Sequence, residues 1–379
     1  MDQLILISVV IPCLNEEKGI GVCVDKARAA LDVLGKPYEI VVCDNGSTDT
    51  SREIATARGA IVVQETRKGY GQAYLTGIKN SHGRFIVMAD GDDTYDLSRI
   101  SDLITPLENG YDLVMGSRFR GKILPGAMSW SHRYIGNPIL SALLRLFFHT
   151  DISDSHCGYR AMTREAFEKM RLKTPGMEFA SEMVVNAIKE DLKICEIPIV
   201  YSPRIGESKL ESLRDAWRHV RFMLLYAPTY LYLLPGAIMM FSGLVLVTAL
   251  SFGPVTVFGR TLYFHFNILG TVLSLLGFQV ITLGIFSRCF SFLNGFDRFD
   301  KKIEGFIRNF RLEKGIILGL SLFITGLAIF LFILLEWIHV DFGGIDEIRR
   351  GLLATTLTVL GIQTVFSSFF LSFLIQEKN

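Results

Sequence analysis

The sequence predicts an α/β domain with a mostly parallel sheet, followed by an all-α region of four transmembrane helices. Short β-branched apolar runs alternate with amphipathic stretches in the first half of the 379-residue chain. This pattern is typical of parallel strands covered by helices on both faces. Most charged residues lie within residues 1–225, whereas 226–379 contain long Leu/Ile/Val/Phe runs. Each of those runs is near the ~20 residues that cross a bilayer.

The α/β half repeats a strand followed by a helix. Its first apolar run is short, rich in β-branched residues and closed by Pro12. It lacks the basic start and cleavage site of a signal peptide, so we expect a buried strand and a cytoplasmic location for this half. Strands are predicted at 5–11, 38–43, 60–64, 85–89 and 113–116, and helices at 17–34, 50–58 and 71–80.

The apolar half contains predicted spans at 231–252, 264–286, 315–337 and 351–375. Few basic residues lie in two of the connectors, which we expect on the same face of the membrane. The connector between the first and second spans carries Arg260, and the connector between the third and fourth carries Arg349 and Arg350. Because cytoplasmic connectors are enriched in Lys and Arg, we expect the basic connector and both termini in the cytoplasm. The basic connector, between the second and third spans, carries Arg288, Arg298, Lys301, Lys302, Arg308, Arg311 and Lys314.

Two further stretches have the composition of helices that lie along a membrane surface. Residues 138–148 are apolar with one arginine, and residues 210–225 interleave Trp, Phe and Leu with Arg and His. Both suit interfacial helices, although ordinary packing helices are the alternative. The predicted organisation is an α/β domain at 1–209, an interfacial helix at 210–230 and a transmembrane domain at 231–379.

Charge and cysteine content exclude some classes of function. A net charge of +1 gives no reason to expect nucleic acid as a partner. The six cysteines are scattered without a CxxC pair, so the sequence predicts neither a zinc site nor a disulfide framework. Free thiols are typical of a reducing compartment.

An acidic cluster directly follows the strand predicted at 85–89. Asp90 and Asp92 form a D-x-D pair within ADGDDTYD. A hard divalent cation such as Mg²⁺ or Mn²⁺ binds oxygen ligands, commonly one or two carboxylates completed by substrate phosphates. Such a cation offsets charge on a departing nucleoside diphosphate. The sequence therefore predicts a metal and diphosphate site at this strand end.

Polar loops also follow the other predicted strands. Residues 12–17 (PCLNEE) and 44–49 (DNGSTD) place carboxylates where base or ribose hydroxyls can be bound, and ligands sit at the carboxyl ends of such strands. The alternative is that Asn15 and Asp49 only cap the following helices. Lys68 lies in KGYGQA, a basic glycine loop that opens a helix and resembles a phosphate-binding loop without Walker A spacing.

Together these motifs resemble glycosyltransferase family 2, and within it the dolichyl-phosphate mannose/glucose synthase-like group. The matching segments are SVVIPCLNEE, VVCDNGSTD, KGYGQAYLTG, MADGDDTYD, VMGSRF, DSHCGYRAM and RIGESKL, in this order over about residues 6–230. The resemblance implies a Rossmann-like GT-A domain that uses a nucleotide-sugar donor and a polyprenyl phosphate acceptor. It also implies Mg²⁺ or Mn²⁺ as cofactor and a membrane location.

The resemblance assigns roles residue by residue. Donor or cofactor binding is implied for Pro12, Glu16, Asp44, Lys68, Asp90, Arg204 and Lys209. Metal binding is implied for Asp90, Asp92 and Thr94, the last standing where relatives often carry Gln. Catalytic roles are implied for Asp92, Asp154, Arg118 and Arg133, with the arginines meeting anionic phosphates.

These residues suggest an in-line displacement with inversion at the anomeric carbon. A UDP-sugar is favoured over GDP-mannose because the DGDDTYD and HCGYR variants look closer to the glucose-type branch. A processive synthase or another membrane glycosyltransferase with a different acceptor is the alternative, although the Q-x-x-R-W motif of such synthases is absent. A membrane scaffold or transporter is a further alternative, and a homo-oligomer is possible.

Overall fold

The computed structural model describes residues 5–206, 212–293 and 301–376. The chain divides into two compact units, Met1–Tyr226 and Ala227–Asn379.

The first unit is built on a seven-stranded sheet. Its strands are β1 Ile7–Cys13, β2 Tyr38–Asp44, β3 Ile61–Gln64, β4 Phe85–Met88, β5 Leu113–Ile123, β6 Arg160–Thr163 and β7 Ile194–Tyr201. They are ordered β3-β2-β1-β4-β6-β5-β7, and only β6 runs antiparallel to its neighbours. The expected mostly parallel sheet is therefore confirmed.

Helices cover both faces of this sheet because alternate strand residues point to opposite sides. Along β1, Val9 and Ile11 face one apolar core and Val10 faces the other. The helices are α1 Ile20–Leu34, α2 Ser51–Ala57, α3 Tyr70–Lys79, α4 Ile100–Glu108, α5 Asn137–Phe148, α6 Arg164–Met170, α7 Phe179–Lys189 and α8 Ser212–Tyr226. Helices α1 and α4 contribute to the first core, and α3, α5, α7 and α8 to the second.

Several elements differ from the sequence prediction. The expected helix start at residue 17 is wrong by three residues, because the Gly19 and Ile20 N–H groups both donate to Glu16 O in a turn. Strand β5 extends to Ile123, well past the predicted end at residue 116. Strands β6 and β7 and helices α4, α6 and α7 were not predicted.

The second unit is dominated by long apolar helices. They are α9 Leu234–Ser251, α10 Phe264–Leu293, α12 Leu312–His339 and α13 Ile348–Gln376, with a short hairpin (β8 Val255–Val257 and β9 Arg260–Leu262) and α11 Lys301–Asn309 between them. Among the described residues, four helices are long and apolar enough to cross a membrane; the first of them includes α9 and the π-helical turn before it, Thr229–Ser251. The four predicted spans are confirmed.

Small residues allow these helices to pack closely in pairs. A Cβ at Gly243 of α9 would lie 2.6 Å from Gly270 O of α10, and one at Gly319 of α12 would lie 2.7 Å from Gly361 O of α13. Close backbone approach at small residues is a common way for helices to associate in lipid.

Candidate active site

The predicted polar loops meet at the carboxyl edge of the sheet. Strand β1 pairs in parallel with β2 up to Cys13 opposite Asp44, and with β4 up to Val10 opposite Met88. The loops that follow β1, β2 and β4 therefore emerge side by side, where ligands bind in sheets of this type.

Hydrogen bonds join the first two loops into one surface. The Asn15 N–H donates to Ser47 Oγ at 2.9 Å, and the Thr48 N–H donates to Asn15 Oδ1 at 2.8 Å. Asn15 thus bridges the loops and does not cap α1, so the capping alternative is wrong for this residue. Asp49 does accept from the Ser51 N–H at the start of α2, at 3.0 Å.

The residues predicted to bind the nucleotide lie on this surface. Pro12, the residue before the last one of β1, lies opposite Cys43, and Glu16 is buried. Asp44 is also buried and accepts the Ser47 N–H at 3.1 Å. The structure therefore brings these carboxylates together on the surface formed by the first two loops.

The glycine loop is anchored to the same surface. The Gly69 N–H donates to Asn45 Oδ1 at 2.8 Å, and the Asn45 amide donates to Arg67 O at 2.8 Å. Glu65 holds the loop from behind by accepting hydrogen bonds from Thr76 Oγ1 and from the Arg67 N–H. Lys68 remains exposed at the tip of this supported loop.

Asp90 and Asp92 occupy different environments although they are two residues apart. Asp90 Oδ1 accepts hydrogen bonds from the Tyr70 and Tyr74 hydroxyls at 3.1 and 3.4 Å. Burial, together with the charge of Asp92, raises the pKa of Asp90 to about 7. Asp92 Oδ1 accepts the Thr94 N–H at 3.1 Å and the Thr94 hydroxyl at 2.6 Å. Thr94 therefore orients Asp92 from within its own loop.

Arg204 reaches this cluster from the segment after β7. Its Nε lies 2.9 Å from Asp92 Oδ2, and its Nη2 lies 3.4 Å from Glu16 Oε1. The main chain nearby is fixed because the Ile205 N–H donates to Asp92 O at 2.9 Å. The structure thus brings Arg204, Glu16 and Asp92 together.

Arg118 and Asp154 form a buried two-pronged ion pair. Arg118 Nε donates to Asp154 Oδ2 and Nη2 donates to Asp154 Oδ1, both at 2.7 Å, and the Arg118 N–H adds a third bond at 3.0 Å. The side chains are only 7% and 0% exposed. Burial alone lowers the pKa of Arg118, but the Asp154 carboxylate outweighs it and raises that pKa well above its usual value.

The Asp154–Arg160 segment lies directly against the D-x-D loop. A Cβ at Gly158 would lie 3.0 Å from Asp90 Oδ2 and 2.9 Å from the Tyr70 hydroxyl, so glycine permits this approach. Arg160 is buried and donates to the carbonyl oxygens of Cys157, Ala180 and Ser155. It therefore fixes the path of the segment.

Two further basic residues were predicted to contribute to the site, Arg133 and Lys209. Arg133 lies in the π-helical turn before α5, with its guanidinium 5.4 Å from the Tyr134 ring centre. No ion pair joins it to Asp90 or Asp92 within the described ranges. Lys209 lies outside the described residues.

Sequence reasoning missed several residues that shape the site. Tyr70 and Tyr74 lie in the quoted glycine motif, and their spacing of four on α3 indicated a shared helix face. Gly158 and Arg160 lie in the quoted DSHCGYR segment, but their contacts depend on the unpredicted strand β6. Asn45 carried no signal beyond its place after a strand.

The residues present fit a divalent cation whose coordination is shared with a ligand. Two carboxylates at one strand end offer hard oxygen ligands, and burial, followed by the charge of Asp92, raises the pKa of Asp90. Across residues 5–206, 212–293 and 301–376, no group of three or more His, Cys, Asp or Glu side chains converges as a metal site. The remaining ligands would therefore come from bound phosphates or water.

Comparisons with known proteins agree with this architecture. Residues 8–171 match the model of glycosyl transferase family 2, and residues 285–375 match the C-terminal transmembrane region of the same family. A crystal structure of a mycobacterial protein superposes with a TM-score of 0.50 at 24% identity, covering 59% of this chain and 74% of that one. At that identity the likeness supports the fold alone.

Two relatives from Haloferax volcanii are similar over long stretches. The low-salt glycan biosynthesis hexosyltransferase Agl6 is 41% identical over 367 residues, which is 96% of this chain and 88% of the relative. A dolichyl-phosphate hexose transferase is 30% identical over 206 residues, covering 54% of this chain and 86% of that protein. The chain therefore belongs to glycosyltransferase family 2 and is a membrane glycosyltransferase.

Proposed function

We propose that the chain transfers a hexose from a nucleotide-diphosphate sugar to a polyprenyl phosphate, with inversion at the anomeric carbon. The observation that carries this proposal is the meeting of three strand-end loops around Asp90 and Asp92, with an arginine at their edge. The names of the two Haloferax relatives, a hexosyltransferase and a dolichyl-phosphate hexose transferase, support the sugar class and the lipid acceptor.

The donor nucleotide is proposed to lie along the surface formed by the first two loops. The buried carboxylates of Asp44 and Glu16 can accept hydrogen bonds from the base and from the ribose hydroxyls. The two loops are already held by hydrogen bonds, so less entropy is lost when the nucleotide binds. Lys68 is proposed to meet the diphosphate from its supported loop. A UDP-sugar is the favoured donor and GDP-mannose is the alternative.

Asp90 and Asp92 are proposed to hold Mg²⁺ or Mn²⁺, with Thr94 orienting Asp92. When bound, such a cation offsets negative charge on the leaving nucleoside diphosphate. The chain's own contribution is to present two carboxylates in a fixed geometry, through the hydroxyls of Tyr70, Tyr74 and Thr94. Preorganised groups of this kind need no rearrangement as charge develops.

Asp154 is proposed to act as a positioning residue and not as a general base. Both of its carboxylate oxygens are occupied by Arg118, and the side chain is fully buried. The acceptor does not require a strong base because a phosphate monoester is already ionised near neutral pH. Arg133, Arg204 and Lys209 are proposed to supply the cations that this anionic acceptor and donor need.

The segment before α5, together with α5 and α8, is proposed to contact the membrane surface. Trp130, Tyr134 and Ile139 are exposed in and before α5, and Trp217 is exposed on α8. Exposed aromatic residues next to arginines are typical of interfacial helices. The catalytic unit and both termini are proposed to be cytoplasmic. A topology reporter fused after α13 tests the location of the C-terminus: a reporter that is active only in the cytoplasm should be active, and one that is active only on the other side of the membrane should not.

The transfer assay tests the whole proposal. Membranes containing the protein are incubated with radiolabelled UDP-glucose or GDP-mannose and with undecaprenyl or dolichyl phosphate. We expect an acid-labile, chloroform-soluble product that requires Mg²⁺ or Mn²⁺. The Asp92→Asn variant should lose activity by about 100-fold, since one anchoring charge of the site is removed.

The matched control is Asp102→Asn, which changes an exposed carboxylate paired with Arg99 on α4 and should leave the rate unchanged. Label that appears in a polymer would instead support a processive synthase. Equal activity of the Asp92 and Asp102 variants would contradict the proposed site.

A further inference from the structure

Arg204 is a residue from a distant part of the described chain that forms an ion pair with the Asp92 carboxylate. Asp92 Oδ1 is engaged by Thr94 from the same loop. Asp92 Oδ2 faces Arg204 Nε at 2.9 Å. Asp92 Oδ1 already accepts two hydrogen bonds, so a cation that binds Asp92 closely would use Oδ2, where it would meet the positive charge of Arg204. Thr94 is fixed by its position two residues away, which leaves Arg204 as the partner able to move.

The contact between Arg204 and Asp92 is close but poorly directed. Although the two atoms lie within ion-pair distance, Arg204 Nε is buried and forms no hydrogen bond with any residue that the structure describes. The second contact, from Nη2 to Glu16 Oε1, is long at 3.4 Å. A buried N–H without an acceptor is unfavourable, so this guanidinium gains by finding a better oxygen ligand.

The main chain of this segment can stay in place while the side chain moves. The Ser202 N–H donates to Thr94 O at 3.0 Å, and the Ile205 N–H donates to Asp92 O at 2.9 Å. These bonds flank Arg204 and tie its backbone to the D-x-D loop. A change of side-chain rotamer alone therefore transfers the positive charge, without unfolding the segment.

We propose that Arg204 is a counter-cation that competes with the divalent ion for Asp92 until the donor arrives. This inference rests on the proposed function and adds to it an order of events. In the donor-free protein Arg204 lies against Asp92 and Glu16 and offsets part of their negative charge. When the divalent cation and the nucleotide diphosphate bind, like charges repel and the guanidinium moves to a phosphate oxygen, where planar two-pronged binding is favourable. Metal binding is thereby coupled to donor binding.

The test is the affinity of Mn²⁺ for the purified full chain without nucleotide, measured by the electron paramagnetic resonance of free Mn²⁺. The Arg204→Gln variant should bind Mn²⁺ about tenfold more tightly than the wild type, because a competing charge-assisted contact is removed. Its sugar-transfer rate should nevertheless fall, because the phosphate loses its arginine. A residue with a merely structural role would not tighten metal binding.

The matched control is Lys26→Gln. Lys26 also carries a positive charge beside this loop, but it pairs with Asp93 at 2.7 Å and not with Asp92. Its removal should change Mn²⁺ affinity by less than about twofold. The Arg204→Lys variant keeps the charge without the planar fork, so its affinity should lie between those of the wild type and Arg204→Gln.

The outcomes separate this inference from the function on which it rests. If Arg204→Gln binds Mn²⁺ no more tightly than the wild type while Asp92→Asn weakens binding, the metal site stands and the competition is overturned. If Asp92→Asn has no effect on saturable Mn²⁺ binding, the metal site of the proposed function fails, and the competition at Asp92 fails with it.

Discussion

Two buried carboxylates of the site are held in different ways. The Asp154 carboxylate forms an ion pair with the Arg118 guanidinium and is fully buried. Asp92 shares one oxygen with Thr94 and has only a poorly directed contact on the other. A carboxylate that is already satisfied stabilises the fold, whereas one that is incompletely satisfied is available to a ligand.

Replacing Asp154 with Asn should be strongly destabilising. The variant leaves Arg118 buried without its counter-charge, which costs about 3–5 kcal/mol of unfolding free energy. Denaturant unfolding of the detergent-solubilised protein measures this loss. The Asp102→Asn variant breaks an exposed pair and should cost less than about 1 kcal/mol. Similar stability of the two variants would show that the Arg118–Asp154 pair does not hold the fold.

Gly158→Ala should weaken Mn²⁺ binding while the protein stays folded. The added Cβ would lie 3.0 Å from Asp90 Oδ2 and 2.9 Å from the Tyr70 hydroxyl, so the carboxylate or the tyrosine must shift. Paramagnetic resonance of Mn²⁺ measures the change in affinity. Gly351→Ala is the control because its Cβ would meet nothing within 4 Å. Unchanged affinity in Gly158→Ala would contradict a metal site that depends on the close packing of Gly158 against Asp90.

Glu65 should make stability depend on pH in the acid range. Hydrogen bonds from Thr76 and Arg67 lower the pKa of Glu65 from the usual 4.5 to about 2. A lowered folded-state pKa gives a stabilisation that is complete above about pH 4.5 and lost as the pH falls toward 2. The Tm difference between wild type and Glu65→Gln should therefore be largest near neutral pH and shrink below about pH 4. A constant difference would contradict this role.

The residue types of the site were predictable from sequence, but their pairings were only partly so. Asp90, Asp92 and Asp44 follow apolar strands, and parallel strands bring such ends to one edge. The ion pairs of Asp154 with Arg118 and of Asp92 with Arg204 join residues far apart along the chain. No local period encodes such pairs.

At the scale of elements, the strong periodic patterns identified strands β1 to β4 and the long apolar helices. Strand β6, Arg160–Thr163, was missed because its sequence RAMT lacks the β-branched apolar run of strands such as β3, and it lies antiparallel between β4 and β5. Strand β7 is interrupted by Pro198, which weakens a strand prediction. These two strands carry the segments that hold Asp154 and Arg204, so the part of the site that they position could not be derived from pattern alone.

Helix α8 is joined to the Asp154–Arg160 segment through a chain of hydrogen-bonded polar side chains. His219 Nδ1 lies 2.9 Å from Ser181 Oγ, which lies 3.3 Å from His156 Nε2, and His156 Nδ1 is 2.8 Å from Ser155 Oγ. Burial and the charge of Arg160 lower the pKa of His219 to about 4, so it is neutral near pH 7. The helix is thereby fastened to the segment that contains Asp154.

His219→Ala should loosen both ends of this connection. We expect faster amide hydrogen exchange in residues 214–226 and in 154–160, because the hydrogen bond to Ser181 and the ring contact with His156 are lost together. Exchange followed by mass spectrometry measures the effect. Trp217→Ala is the control on the same helix, since Trp217 is 61% exposed. Faster exchange limited to α8 would mean that the histidine pair does not couple the two segments.

For the whole molecule, composition alone separated the charged α/β unit from the apolar helical unit, because burial in protein and burial in lipid need different sequences. The predicted boundaries at 209 and 230 stay predictions. The structure counts α8 with the first unit, which ends at Tyr226. The proposed function requires that one site at the sheet edge binds metal and sugar nucleotide together.

Electron–nuclear double resonance of Mn²⁺ bound to the full-length protein with UDP tests this requirement most directly. The account predicts hyperfine coupling to ³¹P, which arises when the diphosphate coordinates the ion, and predicts that Asp92→Asn abolishes the signal. Bound UDP without ³¹P coupling, or an unchanged signal in Asp92→Asn, would contradict a metal held between Asp90, Asp92 and the donor phosphates.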